Sequence, residues 1–261
     1  MNAQPKSKVH NKFISNVPEQ TAIFPLMLRV PIDNGRFAFA GLGTGFFISK
    51  WGLFVTAAHV LEEDKELVEG GGLEAWIVVG KNNFTCPVRD LQFHSTADIA
   101  IGCIVPPRDK SGKPPPEFAI SLQKISKKQP TVSDKLFTYG YGRTQVTKDE
   151  EEDLVTIDMN PYYYEGEMLE YHSTGVSLAK WPVLRHSVPI ASGVSGGPLM
   201  SKSNSAVVGV NCTGDSTNTE DIPHGMSTDI QLIFDMIISS QIPGFQGKKV
   251  QDILISKGLL V

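Results

Sequence analysis

Cysteine is scarce in this sequence. Only Cys86, Cys103 and Cys212 occur, an odd number set far apart in apolar segments, so a disulfide framework is not expected and a reducing, cytoplasmic setting fits. No Cys-x-x-Cys pair, Cys/His cluster or other ligand spacing is present, which leaves no expectation of a metal or cofactor. No apolar run approaches the roughly 20 residues that span a bilayer, and the first twenty residues lack the hydrophobic centre of a secretory signal. Neither membrane insertion nor export by that route is expected. Excess positive charge is also absent: 24 Lys and Arg against 28 Asp and Glu give a formal net charge of −4. That balance offers no broad surface for counterion release from nucleic acid, although Lys124, Lys127 and Lys128 form a local patch.

What the sequence does contain is a succession of short apolar segments rich in Val, Ile, Phe and Thr, each bounded by Gly, Asn, Asp or Pro. These read as strands. The clearest are 21–30, 37–40, 45–49, 54–56, 73–79, 84–94, 100–105, 136–141, 154–160, 167–174, 197–200, 206–211 and 225–228, the pattern of a sandwich or barrels. Helical spacing is rare. Ile230, Ile233, Phe234, Ile237 and Ile238 predict a helix over 229–239, and Val250, Ile253 and Leu254 predict a second short one whose apolar face docks on the body. Residues 106–116 are rich in proline and charge and cannot continue a sheet. The expected organisation is an N-terminal extension (1–19), one β unit (20–105), a linker (106–130), a second β unit ending in a helix (131–240) and a C-terminal extension (241–261).

Three motifs carry the chemistry. Gly193-Val194-Ser195-Gly196-Gly197-Pro198 flanks a serine with glycines, which lets the backbone turn sharply and aim two N–H groups at one point. Far upstream, Thr56-Ala57-Ala58-His59 sets a histidine at the end of an apolar strand, with small residues that permit close packing. Between them Asp98-Ile99-Ala100-Ile101 places an acid at the start of another apolar strand. Each alone is ordinary; together they give the chain order His, Asp, Ser.

With these motifs, over roughly residues 20–240, the chain resembles the trypsin-like serine peptidases and, lacking paired cysteines, is most similar to the HtrA/Deg-like type without its PDZ domain. The resemblance implies two antiparallel six-stranded β-barrels with the site between them. The first barrel would supply His59 as general base and Asp98 as its orienting carboxylate, and the second would supply Ser195 as nucleophile. The peptide N–H groups of Gly193 and Ser195 would form the oxyanion hole. By the family's pattern Pro189, Ile190, Asn211, Cys212, Thr213, Gly214 and Gly225 line the primary pocket, and Thr213 and Gly214 pair with an extended protein or peptide substrate. No acid lies at the pocket base, so a small or medium apolar P1 side chain is expected. His10, His94, His172, His186 and His224 match no motif and read as surface or structural residues.

The chain departs from the family at one informative position. Trypsin-type zymogens carry an aspartate before the nucleophile, which pairs with a newly cut N-terminus; here that residue is Val194. Activation by that ion pair is excluded, and a regulatory protein partner or the substrate is expected to order the oxyanion loop. Two other readings compete. Gly193-x-Ser195-x-Gly197 also fits the nucleophile elbow of α/β-hydrolases, but that fold places its acid and histidine after the serine, where only His224 follows. The other is a catalytically silent binding module that keeps the protease fold.

Overall fold

The computed structural model describes residues 6–11, 21–32, 37–79, 82–142, 144–149, 154–177, 179–215, 224–239 and 244–261. A strand before the first barrel, β1 (Lys6–Asn11), was not expected from the sequence. The first barrel contains β2 (Ile23–Pro31), β3 (Phe37–Phe47), β4 (Leu53–Thr56), β5 (Leu73–Val79), β6 (Asn82–Phe93) and β7 (Ala100–Ile104), closed in the order β2-β3-β4-β7-β6-β5. The second contains β8 (Lys135–Gly140), β11 (Tyr162–His172), β12 (Val183–His186), β13 (Pro198–Ser201), β14 (Val207–Asp215) and β15 (His224–Asp229), closed as β11-β12-β15-β14-β13-β8. The hairpin β9 (Gln145–Asp149) and β10 (Leu154–Met159) leaves this barrel and takes β1 as a parallel third strand. The expected pair of antiparallel six-stranded barrels is therefore the observed architecture.

Closure removes sheet edges and turns alternate side chains inward. In the first barrel Phe24, Phe47 and Phe54 fill the interior, with Phe24 stacked on Phe47 at 4.3 Å and edge-on to Phe54 at 5.4 Å. Between the barrels the linker runs as turns and coil, and it holds more of the molecule together than its composition implies. Gln123 N–H bonds to Phe47 in the first barrel, Ser126 N–H to Val207 in the second, and Ile125 N–H to Leu259 in the C-terminal tail. Two polar stretches of the sequence, 148–153 and 215–220, lie largely outside the described residues.

The helix expected over 229–239 is not there; Ile230–Ile233 form one 3₁₀ turn. Asp229 is drawn into β15, where it pairs with Gly209, and its carboxylate caps Gln231 N–H at 2.9 Å. Beyond that turn the C-terminal segment competes for the backbone: Ile238 N–H bonds to Lys248, and Val250 N–H to Met236. The second predicted helix does form. After α1 (His59–Glu62) and α2 (Lys65–Leu67) comes α3 (Val250–Ser256), with Val250, Ile253 and Leu254 buried on the body.

Candidate active site

The two barrels meet at β3, the end of β4 and the loop between β12 and β13. That loop consists of two linked turns. Val194 N–H bonds to Ala191 O at 3.1 Å and Gly197 N–H to Val194 O at 2.9 Å, closing turns 191–194 and 194–197. In each, the third position needs positive φ, and the glycines there supply it: Gly193 at +82° and Gly196 at +81°. Ser195 is thereby presented at the second position of the second turn. The absence of a Cβ at Gly196 also lets the loop press on the first barrel, because a methyl there would overlap Thr56 Oγ1 and Thr44 O and lie 2.9 Å from Ala57 N. Close approach between the serine turn and the histidine turn thus follows from glycine on one side and the buried Thr56-Ala57 pair on the other.

His59 opens α1 and Asp98 lies in the loop before β7. The carboxylate holds the histidine twice: Oδ1 accepts the His59 backbone N–H at 2.9 Å, and Oδ2 meets Nδ1 at 2.7 Å. Such a grip places the Nδ1 proton toward Asp98 and leaves Nε2 available. Burial disfavours the imidazolium, but the hydrogen bond and charge of Asp98, with the charges of Glu62 and Glu63, outweigh it and raise the His59 pKa above its ordinary value. Burial likewise disfavours the Asp98 carboxylate, and its bonds to His59 outweigh that, so its pKa is lowered.

Ser195 does not bond to His59 in this structure. Its hydroxyl donates to the carbonyl of Cys212 at 2.9 Å. Cys212 is the bulged residue of β14: Asn211 pairs with Ser227 and Thr213 with Met226, leaving Cys212 unmatched between them. Its buried thiol meets Thr228 Oγ1 at 2.8 Å; burial raises the thiol pKa, and Asp98 lies near enough for the carboxylate's charge to help raise it. A single residue therefore receives the serine hydroxyl on its carbonyl and lies beside the aspartate.

Of the other expected site residues, Gly193 and Ser195 keep their backbone N–H groups unengaged by any described residue, as an oxyanion hole requires. Asn211 is fully buried; its amide donates to Thr138 Oγ1 at 2.6 Å and accepts from Ser227 Oγ at 3.0 Å, so it offers backbone rather than side chain to a ligand. Gly225 faces His186, Val188 and Ile190, and a Cβ there would overlap His186 Cε1 and lie 2.8 Å from Ile190 Cγ1. Pro189 accepts a hydrogen bond from Tyr162 at 3.4 Å. Thr213 and Gly214 continue β14 beyond the bulge, paired with Met226 and Gly225.

Three residues near the site were given no role in it by the sequence. Thr44 bridges β3 to the serine loop, and His94 organises the Asp98 loop, its Nδ1 accepting N–H from Thr96 at 3.2 Å and Ala97 at 3.0 Å. His186 is a buried histidine in β12, bonded to Val188 O and Ser227 Oγ. Only the second had a local signal, a polar residue four positions before the acid. The described residues include no cluster of three or more His, Cys, Asp or Glu arranged to hold a metal ion, and no described helix is long and apolar enough to cross a membrane.

Residues 43–210 match the family described as trypsin-like peptidase domain. No curated protein matches the chain in sequence. Among solved structures, the chain is similar to Rv3671c from M. tuberculosis, determined in the inactive form of a serine-to-alanine mutant, with 16% identity over 82% of this chain and 84% of that one and a TM-score of 0.51. It is also similar to the MamO protease domain from Magnetospirillum magneticum in its apo form, with 12% identity over 82% of this chain and 95% of that domain and a TM-score of 0.56. At these identities the structural likenesses speak to the fold.

Proposed function

The chain belongs to the trypsin-like peptidase family, and from that premise we propose that it is a serine endopeptidase working through Ser195, His59 and Asp98. The observation that carries this reading is the double grip of Asp98 on His59. A carboxylate that fixes both the backbone and Nδ1 of a histidine leaves Nε2 as the basic nitrogen and stabilises the cation formed when it takes a proton.

In the proposed cycle the Ser195 hydroxyl rotates from the Cys212 carbonyl to His59 Nε2. Its oxygen attacks the scissile carbonyl carbon as His59 takes the hydroxyl proton, and the oxyanion is received by the N–H groups of Gly193 and Ser195. His59 then gives the proton to the leaving amine as the C–N bond breaks, forming the acyl-enzyme. Water attacks the acyl carbon as His59 takes its proton, and the bond from that carbon to Ser195 Oγ then breaks as His59 returns the proton to the serine oxygen, releasing the acid. Resting serine bonds are often not aligned for transfer before substrate binds.

The P1 residue we assign is small or medium and apolar, because His186 and Ile190 fill the space facing Gly225. Proteins or peptides are the substrate class. Three unpaired cysteines accord with a reducing, cytoplasmic setting. A silent binding module is favoured by one observation, the bond from Ser195 to Cys212 rather than His59. Incubation with a peptide library, with new termini read by mass spectrometry, separates the two. Cleavage lost in Asp98→Asn and Ser195→Ala supports the peptidase; no cleavage by the native chain supports the module.

A further inference from the structure

We propose that Thr44 is the positioning residue that latches the oxyanion loop, doing from the first barrel what an ion-paired aspartate before the nucleophile would do. The inference rests on the peptidase reading for its function, but its structural content stands apart from activity.

The peptide unit joining Gly193 to Val194 lies between the two oxyanion donors, and it is tied at both ends. Its carbonyl accepts the Thr44 hydroxyl proton at 2.7 Å, and its N–H donates to Ala191 O at 3.1 Å. A peptide unit is planar, so two such bonds on opposite edges oppose its rotation. One residue on, Ser195 O accepts the Thr44 backbone N–H at 2.9 Å. Thr44 thus holds two carbonyls that flank Val194, across 149 residues of sequence for its hydroxyl.

Thr44 is itself held. It is fully buried, its hydroxyl accepts Tyr141 N–H at 3.0 Å, and its own carbonyl accepts the Thr56 hydroxyl at 2.9 Å. Both roles of the Thr44 hydroxyl are used, leaving one rotor setting. Val194 completes the arrangement. It is fully buried, and its methyls lie where side chains at Gly140 and Gly142 would stand: a Cβ on Gly142 would be 2.7 Å from Val194 Cγ2. The position that carries an aspartate in zymogens is here an apolar plug, and the polar latch comes from the opposite barrel. In this structure the loop is held without an ion pair to a cut N-terminus.

The test compares Thr44→Val, which keeps shape and backbone N–H but removes the hydroxyl, with Thr44→Ser, which restores it. Hydrogen exchange of the 191–197 segment, referenced to β11 and β12 to separate local from global loosening, reads the latch without needing turnover. Protection of this segment lost in Thr44→Val and kept in Thr44→Ser is expected; unchanged protection in Thr44→Val overturns the proposal. On a cleaved peptide, Thr44→Val is expected to lower kcat by roughly 10- to 100-fold with KM nearly unchanged, since a whole oxyanion donor is worth about 10²–10³. If exchange responds as expected while the wild-type chain cleaves nothing, the latch stands and the peptidase reading falls.

Discussion

Replacing His94 by alanine removes the acceptor that gathers the N–H groups of Thr96 and Ala97 immediately before Asp98. The same loop is pinned by His94 N–H to Ile99 O at 2.9 Å, a bond that alanine keeps, so the loss is confined to two side-chain bonds. Each net hydrogen bond is worth about 0.5–1.5 kcal/mol, and water can partly replace these two, giving about 1–2 kcal/mol of lost ordering at Asp98. At 1.36 kcal/mol per tenfold, kcat/KM should fall roughly 5- to 30-fold. A ceiling near 10⁴ is set by loss of the aspartate's orienting role altogether. Asparagine at 94 can place Oδ1 where Nδ1 now accepts, and it should restore most of the rate. Kinetics on one peptide, with His59 titrated by NMR, form the assay. A looser Asp98 raises the His59 pKa less, so the alanine variant should titrate lower than wild type and the asparagine variant close to it. Equal damage by alanine and asparagine, or no change in either, would refute the positioning role.

Three further outcomes follow from the same geometry. Gly196→Ala should destabilise the fold by at least roughly 3 kcal/mol, from positive φ together with overlap on Thr44 and Thr56, whereas Gly112→Ala, at φ +79° with nothing within 4 Å, should cost only the backbone strain of about 1–2 kcal/mol. Thermal unfolding of the two variants checks this, and equal losses would contradict it. Because the base must be neutral and its pKa is raised, the acid limb of kcat/KM should lie above pH 6.5, with activity falling as pH drops through it. Asp98→Asn should move that limb downward while cutting the rate; a limb at or below 6.5 in the wild type would count against the Asp98 grip. Ile190→Gly should open the space facing Gly225 and improve cleavage after large apolar residues relative to alanine by at least about tenfold, measured on matched peptides. An unchanged ratio would remove Ile190 from the pocket.

The residues proposed to react were legible because each sits in a local pattern with a physical cause: glycines around Ser195, small residues before His59, an acid opening an apolar strand. Most strands were legible for the same reason, as alternation and turn residues act over a few positions. What escaped is set by distance. Val183–His186 is a four-residue strand whose identity depends on pairing with β11 and β15, and β1 depends on β10. The apolar spacing at 230–238 predicted a helix, yet the C-terminal segment captured the carbonyls of Phe234, Met236 and Ile238 and the Ile238 N–H. Val194 showed that an ion pair was missing, but nothing near it indicated that Thr44 stands in its place. His94 and His186 looked incidental until the fold set one against the Asp98 loop and the other behind Gly225.

The most direct measurement is covalent labelling of the purified chain by a fluorophosphonate, followed by intact mass, beside Ser195→Ala and His59→Ala. The account predicts a single adduct on the native chain that maps to Ser195 and is lost in both variants. An unlabelled native chain, or labelling that survives Ser195→Ala, would contradict it.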